Sequence, residues 1–129
     1  MALAAGATAL PAVASARPAV SAPRVLVIGP RATVVATGFK PRARLSLDLS
    51  PTINRGGNCC FYPAGRRTAD ASGRAVFRFV VPAAYFNCDR CGKRPNAPWS
   101  NNQRADVTVI SLPNGAQRAR AVSRIRRAS

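Results

Sequence analysis

Cys88-Asp89-Arg90-Cys91-Gly92-Lys93 sets two thiols two residues apart, with a glycine directly after the second. A second pair, Cys59 and Cys60, is adjacent in the chain. Three chemistries use such residues: thiolate ligation of zinc, thiol redox exchange and disulfide cross-linking. In a zinc knuckle the following glycine lets backbone N–H groups approach the sulfurs, and Gly92 matches that. A zinc ribbon also needs a second, similarly spaced pair around a tetrahedral ion. Neighbouring residues of an extended chain point to opposite sides. Cys59 and Cys60 are therefore poorly placed to share one ion, and the chain has no histidine to help. A redox Cys-x-x-Cys is normally activated at the start of a helix. Here "GKRPNAPWSNN" follows Cys91, with two prolines and no helical period.

Disulfides remain. Four cysteines allow three connectivities. A Cys59–Cys60 bond closes a strained ring. Two cross-links between the segments are expected, from Cys59 or Cys60 to Cys88 and from the other to Cys91. Pairing within each segment stays open as the alternative. A bridge closing a long loop contributes roughly 2–4 kcal/mol.

The remaining side chains exclude most catalysis. The only acids are Asp48, Asp70, Asp89 and Asp106, and glutamate is absent. General acid–base chemistry relies mainly on His, Glu and Asp. Four scattered aspartates, without histidine, offer no Ser–His–Asp or Cys–His arrangement. No P-loop or dinucleotide fingerprint appears. No enzyme, metal or cofactor is expected.

Charge points to a partner instead. Twenty Lys and Arg face four acids, a formal charge of +16 with a pI near 11.8. A GC-rich genome accounts for arginine over lysine, but not for the missing acids. Such a surface favours anionic partners. Arg118, Arg120, Arg124 and Arg126 share one register, with Val122 among them and Arg127 beyond. A strand displays them as a row opposite Ala119, Ala121, Ser123 and Ile125. The row is expected to pair with phosphate or carboxylate groups through the guanidinium fork. An edge strand guarded by charge is the simpler account. A second candidate surface combines Arg66, Arg67, Arg90, Lys93 and Arg94 with Tyr85 and Trp99. Aromatic plus arginine is a recognition composition, although such rings also pack irregular segments.

The elements that position these residues are short strands. Residues 1–16, "MALAAGATALPAVASA", read as a truncated secretory signal with a small-x-small cleavage site. No Lys or Arg precedes the apolar stretch, so the start codon is placed upstream; an Ala-rich tail is the alternative. Residues 17–23 are expected as a flexible lead-in, 24–126 as the domain and 127–129 as the end of a basic tail. "ARLSLDLS" alternates Leu45, Leu47 and Leu49 with Ser46, Asp48 and Ser50, the period of a half-buried strand whose Asp48 faces solvent. "VLVI", "RATVVATGF", "AVFRFVV" and "ADVTVISL" read as further strands. "GFKP", "ADASG" and "PNGA" read as turns. No segment has a helical apolar period, and none is long enough to span a bilayer. Two long segments, Pro51 to about Tyr62 and Pro82 to Gln103, carry the cysteines. If they are cross-linked, "LSLDLS" and "AVFRFVV" must run the same way, with a return strand near Tyr62 to Thr68.

"VVATGFKPRARLSLDLS", "TADASGRAVFRFVVP" and "ADVTVISLPNGAQRARAV" resemble the secreted immunoglobulin-like domains of actinobacteria, distantly including the neocarzinostatin-type apoproteins. The resemblance spans about Arg24 to Ile125. It implies two disulfides and a cleft for a small molecule. The chain departs from the type in being basic and in its adjacent Cys59 and Cys60, so an enediyne ligand is not implied.

The expectation is therefore an all-β, immunoglobulin-like antiparallel sandwich of about seven strands, with two long disulfide-linked loops. Its expected role is that of a secreted or wall-associated monomer binding an anionic cell-wall polymer or other polyanion. A zinc-knuckle nucleic-acid binder and a small-molecule carrier are the alternatives.

Overall fold

A computed structural model describes residues 17–52, 61–85 and 97–128. Among these residues the protein is all-β, with ten strands. They are β1 (Ala19–Ser21), β2 (Val25–Val27), β3 (Arg31–Thr37), β4 (Arg44–Pro51), β5 (Tyr62–Thr68), β6 (Ala75–Val80), β7 (Ala84–Tyr85), β8 (Ala97–Pro98), β9 (Gln103–Ser111) and β10 (Arg118–Arg126). One sheet has the order β1-β3-β6 and the other β2-β10-β9-β4-β5, while β7 and β8 pair as a short ribbon.

The alternating sequences decide which face is buried. Leu45, Leu47 and Leu49 of β4 meet Val107 and Val109 of β9 across an antiparallel register. These five side chains are fully buried. Val34 and Ala36 of β3, with Phe77 and Phe79 of β6, close the core from the other sheet. The large β-branched and aromatic side chains of two twisted sheets thus interdigitate as in other sandwiches.

Ten strands replace the expected seven or so because of short pieces that carry no alternation of their own. Residues 17–23, expected as a flexible lead-in, contribute β1, which pairs antiparallel with β3. The segment from Pro82 to Gln103 contains β7 and β8. The return strand near Tyr62 to Thr68 is present as β5, antiparallel to β4 with a bulge beside Leu47 and Asp48.

All three expected turns gather at one end of the sandwich and are stitched together. Phe39 N–H donates to Gly73 C=O, Arg42 N–H to Asp70 C=O, and Lys40 N–H to the Gln117 side chain. Gly73 has φ +82°, and a Cβ there would collide with the Phe39 carbonyl. Only glycine fits that close approach. At the opposite end Thr52 N–H donates to Arg104 C=O, and Gly29 N–H to Val81 C=O. Strands β4 and β6 therefore finish at the same end, as cross-linking of the two segments requires. Cys59, Cys60, Cys88 and Cys91 themselves lie outside the described residues.

Candidate functional site

The outer face of the five-stranded sheet is where polar chemistry collects. The register that sends Leu47, Leu49, Val107 and Val109 inward sends Asp48, Ser50, Asp106, Thr108 and Ile110 outward. Opposite Thr108 and Ile110 stand Arg120 and Arg118 of β10. Together with Phe61 they line a groove of 660 Å³. Such a volume lies within the range of small-molecule sites. Its lining combines a carboxylate floor, hydroxyls, the apolar Phe61, Ile110 and Ala119, and an arginine wall.

Asp106 is held on two sides. Thr52 Oγ1 donates to its Oδ1 at 2.8 Å, and Arg120 Nη1 to its Oδ2 at 3.3 Å. The Arg120 side chain is 60% exposed, so solvent screens the pair and its main effect is to fix direction. Asp48 is different. Burial pushes its carboxyl above the ordinary range, and the Arg66 guanidinium partly offsets that. Asp48 was expected to face solvent. It does lie on the outer face, but β5 and β9 flank it and leave it half-buried. Removing a carboxylate from water disfavours its charged form.

The arginine row takes the expected register. Arg118, Arg120, Arg124 and Arg126 are exposed on the outer face of β10, with Val122 among them at 45% exposure. Ser123 and Ile125 point inward and are buried. Ser123 Oγ donates to Pro23 C=O at 2.7 Å, which satisfies the buried hydroxyl. Arg124 Nη1 donates to Asn102 C=O, and Arg127 N–H to the Asn101 side chain. Strand β9 pairs antiparallel along one side of β10, while β2 covers the other side in parallel only at Arg124–Arg126. Edge protection therefore does not account for Arg124 and Arg126, and remains the simpler account for Arg118 and Arg120.

The second expected surface divides. Trp99 is a core residue, 1% exposed, with Tyr85 against it at 4.6 Å between ring centroids. Its backbone N–H donates to Ala83 C=O. Its indole Nε1 is buried and has no hydrogen-bond partner among the described residues. The two rings thus pack β7 and β8 onto the sandwich. Arg66 and Arg67 are exposed on β5, on the far side of the groove from β10. Arg90, Lys93 and Arg94 lie outside the described residues. Among the described residues, no three His, Cys, Asp or Glu side chains gather to hold a metal.

Asp106, Thr108 and Ile110 went unrecognised as site residues. The available signal was the alternation in "ADVTVISL", which puts an outward isoleucine beside an outward aspartate.

No protein-family model matches the chain, and the search of curated proteins gives no match. Among solved structures, macromomycin is similar over 86% of this chain and 99% of its own, with a TM-score of 0.60 and 19% identity. A superoxide reductase (neelaredoxin) from Ignicoccus hospitalis aligns over 88% of this chain and 81% of its own, with a TM-score of 0.47 and 12% identity. Macromomycin is a neocarzinostatin-type apoprotein, so the fold is the sandwich that the sequence resemblance implied. No helix among the described residues is long and apolar enough to cross a membrane.

Proposed function

We propose that the protein is a non-enzymatic binding protein, exported from the cell, that carries a small molecule in the groove on the outer face of the five-stranded sheet. The carrying observation is the groove itself: 660 Å³, with Phe61 and Ile110 beside Asp48, Asp106, Arg118 and Arg120. Apolar groups supply area, and a few fixed polar groups supply orientation. The ligand class that fits has an aromatic or aliphatic body and an anionic group directed at β10. Donors on the same ligand meet Asp48 and Asp106. The shared fold with macromomycin supports a carrier over an enzyme.

Anilinonaphthalene sulfonate tests this, since it combines an aromatic body with an anion. Its fluorescence should rise to saturation at one equivalent with the full chain. Thr108→Trp fills the groove floor from a solvent-facing position and should abolish that rise. An unchanged titration in the Thr108→Trp variant would overturn the proposal.

The row on β10 supports a second reading, attachment to a polyanion such as a cell-wall polymer. Arg118, Arg124 and Arg126 have no carboxylate partner among the described residues. Both readings use one face, and a carrier bound to a polyanion by its arginines is compatible with either.

A further inference from the structure

We propose that the turn end of the five-stranded sheet holds a second, separate site, which takes a phosphate or sulfate monoester between Arg44, Arg66 and Arg67. These residues line a hollow of 450 Å³ together with Leu45, Thr68 and Leu112. A contiguous hollow of 370 Å³ shares Arg44, Arg66 and Leu112 and extends over Pro113. The first hollow gathers cations, and the extension is walled by apolar groups. That division suits an oxyanion carrying an organic substituent.

The register explains the convergence. Arg44 stands opposite Thr68 and Ser46 opposite Arg66, so Arg44 and Arg66 are diagonal neighbours on one face. Arg67, opposite Leu45, leaves the other face of the edge strand β5 but still lines the hollow. Like charges so placed repel in the absence of an anion. Of the three carboxylates among the described residues, two are committed elsewhere. Asp70 accepts from Ser72 N–H, Ser72 Oγ and Arg74 N–H within its own turn. Asp106 is held by Thr52 and Arg120. Asp48 partly offsets Arg66, which leaves the unmatched charge of the cluster on Arg44 and Arg67. Arg44 and Arg67 have no carboxylate partner among the described residues.

Edge protection does not account for the cluster. Strand β5 is an edge, and Arg67 guards it in the usual way. Arg44, however, is on β4, which β9 and β5 cover on both sides. Its charge blocks no pairing. Leu112 is half-buried beside Arg44, with its N–H donated to Arg44 C=O, and with Pro113 it forms the apolar side of the hollow. A partly desolvated wall strengthens guanidinium–oxyanion contacts. Guanidinium forks match the tetrahedral oxygens of phosphate or sulfate in pairs.

The test is a titration of the isotope-labelled full chain, reading arginine Nε–H and Leu112 N–H resonances by NMR. Phenyl phosphate and phenyl sulfate should each shift Arg44, Arg66, Arg67 and Leu112 to saturation, and their relative affinities decide which ester is preferred. Inorganic phosphate should bind the same residues more weakly, because it leaves the extension empty. Arg44→Gln and Arg67→Gln should each weaken phenyl phosphate roughly tenfold, the loss expected for a charge-assisted contact. Arg44→Lys, which keeps the charge without the fork, should fall between. Thr108→Trp should leave this site intact, which separates its fate from that of the groove. Shifts that never saturate and spread equally to Arg118, Arg124 and Arg126 would overturn the proposal. So would wild-type affinity in a folded Arg44→Gln variant.

Discussion

Asp48 and Asp70 respond to pH in opposite senses. Backbone N–H of Arg74, then the Ser72 hydroxyl and N–H, hold the Asp70 carboxyl below its ordinary 3.8. The folded state therefore prefers the charged form. That contribution is present above 3.8 and is lost as pH falls through the depressed value. Asp70→Ala should lower the urea midpoint at neutral pH, and the gap from wild type should close in acid. For Asp48, burial raises the carboxyl and Arg66 opposes. The folded state prefers the protonated form, so that contribution is present below 3.8 and is lost as pH rises through the raised value. Asp48→Asn should therefore erase this decline in the pH–stability curve. Arg66→Gln should raise the Asp48 value further, as read by carboxyl NMR titration. Gly73 belongs to the same scale. Gly73→Ala combines a left-handed backbone with a collision at the Phe39 carbonyl, and should cost ~2 kcal/mol or more in denaturant melts.

Among the elements, β4 supplies the clearest case of packing energetics. Leu47 is fully buried between both sheets, so Leu47→Ala should cost about 2–5 kcal/mol by urea denaturation. Val122→Thr, at an exposed position on β10, should change stability by no more than about 0.5 kcal/mol. How much was legible follows from the same residues. Strands β4, β6, β9 and β10 were readable because alternation names a buried face without knowledge of the partner strand. Strand β5, "YPAGRRT", has proline, glycine and no alternation; only the parity demanded by cross-linking placed it. Strand β1 is three residues between Pro18 and Pro23, and its pairing comes from β3. The groove was illegible for another reason. It exists only because β4 and β9 are neighbours, although more than fifty residues separate Thr52 from Asp106. Trp99 was ambiguous because its polar surroundings in sequence hide a place in the core.

For the whole molecule, charge sets behaviour at a distance. With a formal charge of +16, the protein should be retained on an immobilised polyanion and released by salt, since screening shortens the reach of exposed charges. Replacing Arg118, Arg124 and Arg126 together by Gln should move elution to lower salt without changing the urea midpoint. Equal elution would remove the row on β10 from any attachment role. The chain's connectivity has a further consequence. Val25 of β2 lies beside Arg124 of β10, and Pro23 is tied to Ser123 across 100 residues. During synthesis, β2 waits for its partner until β10, 100 residues further along the chain, has been made. Until then β9, the neighbour of β10, presents an unpaired edge, the kind of surface on which nascent chains stick to one another. Premature termination before Arg118 would leave that edge permanently open, and such fragments are expected among aggregates rather than in the soluble fraction.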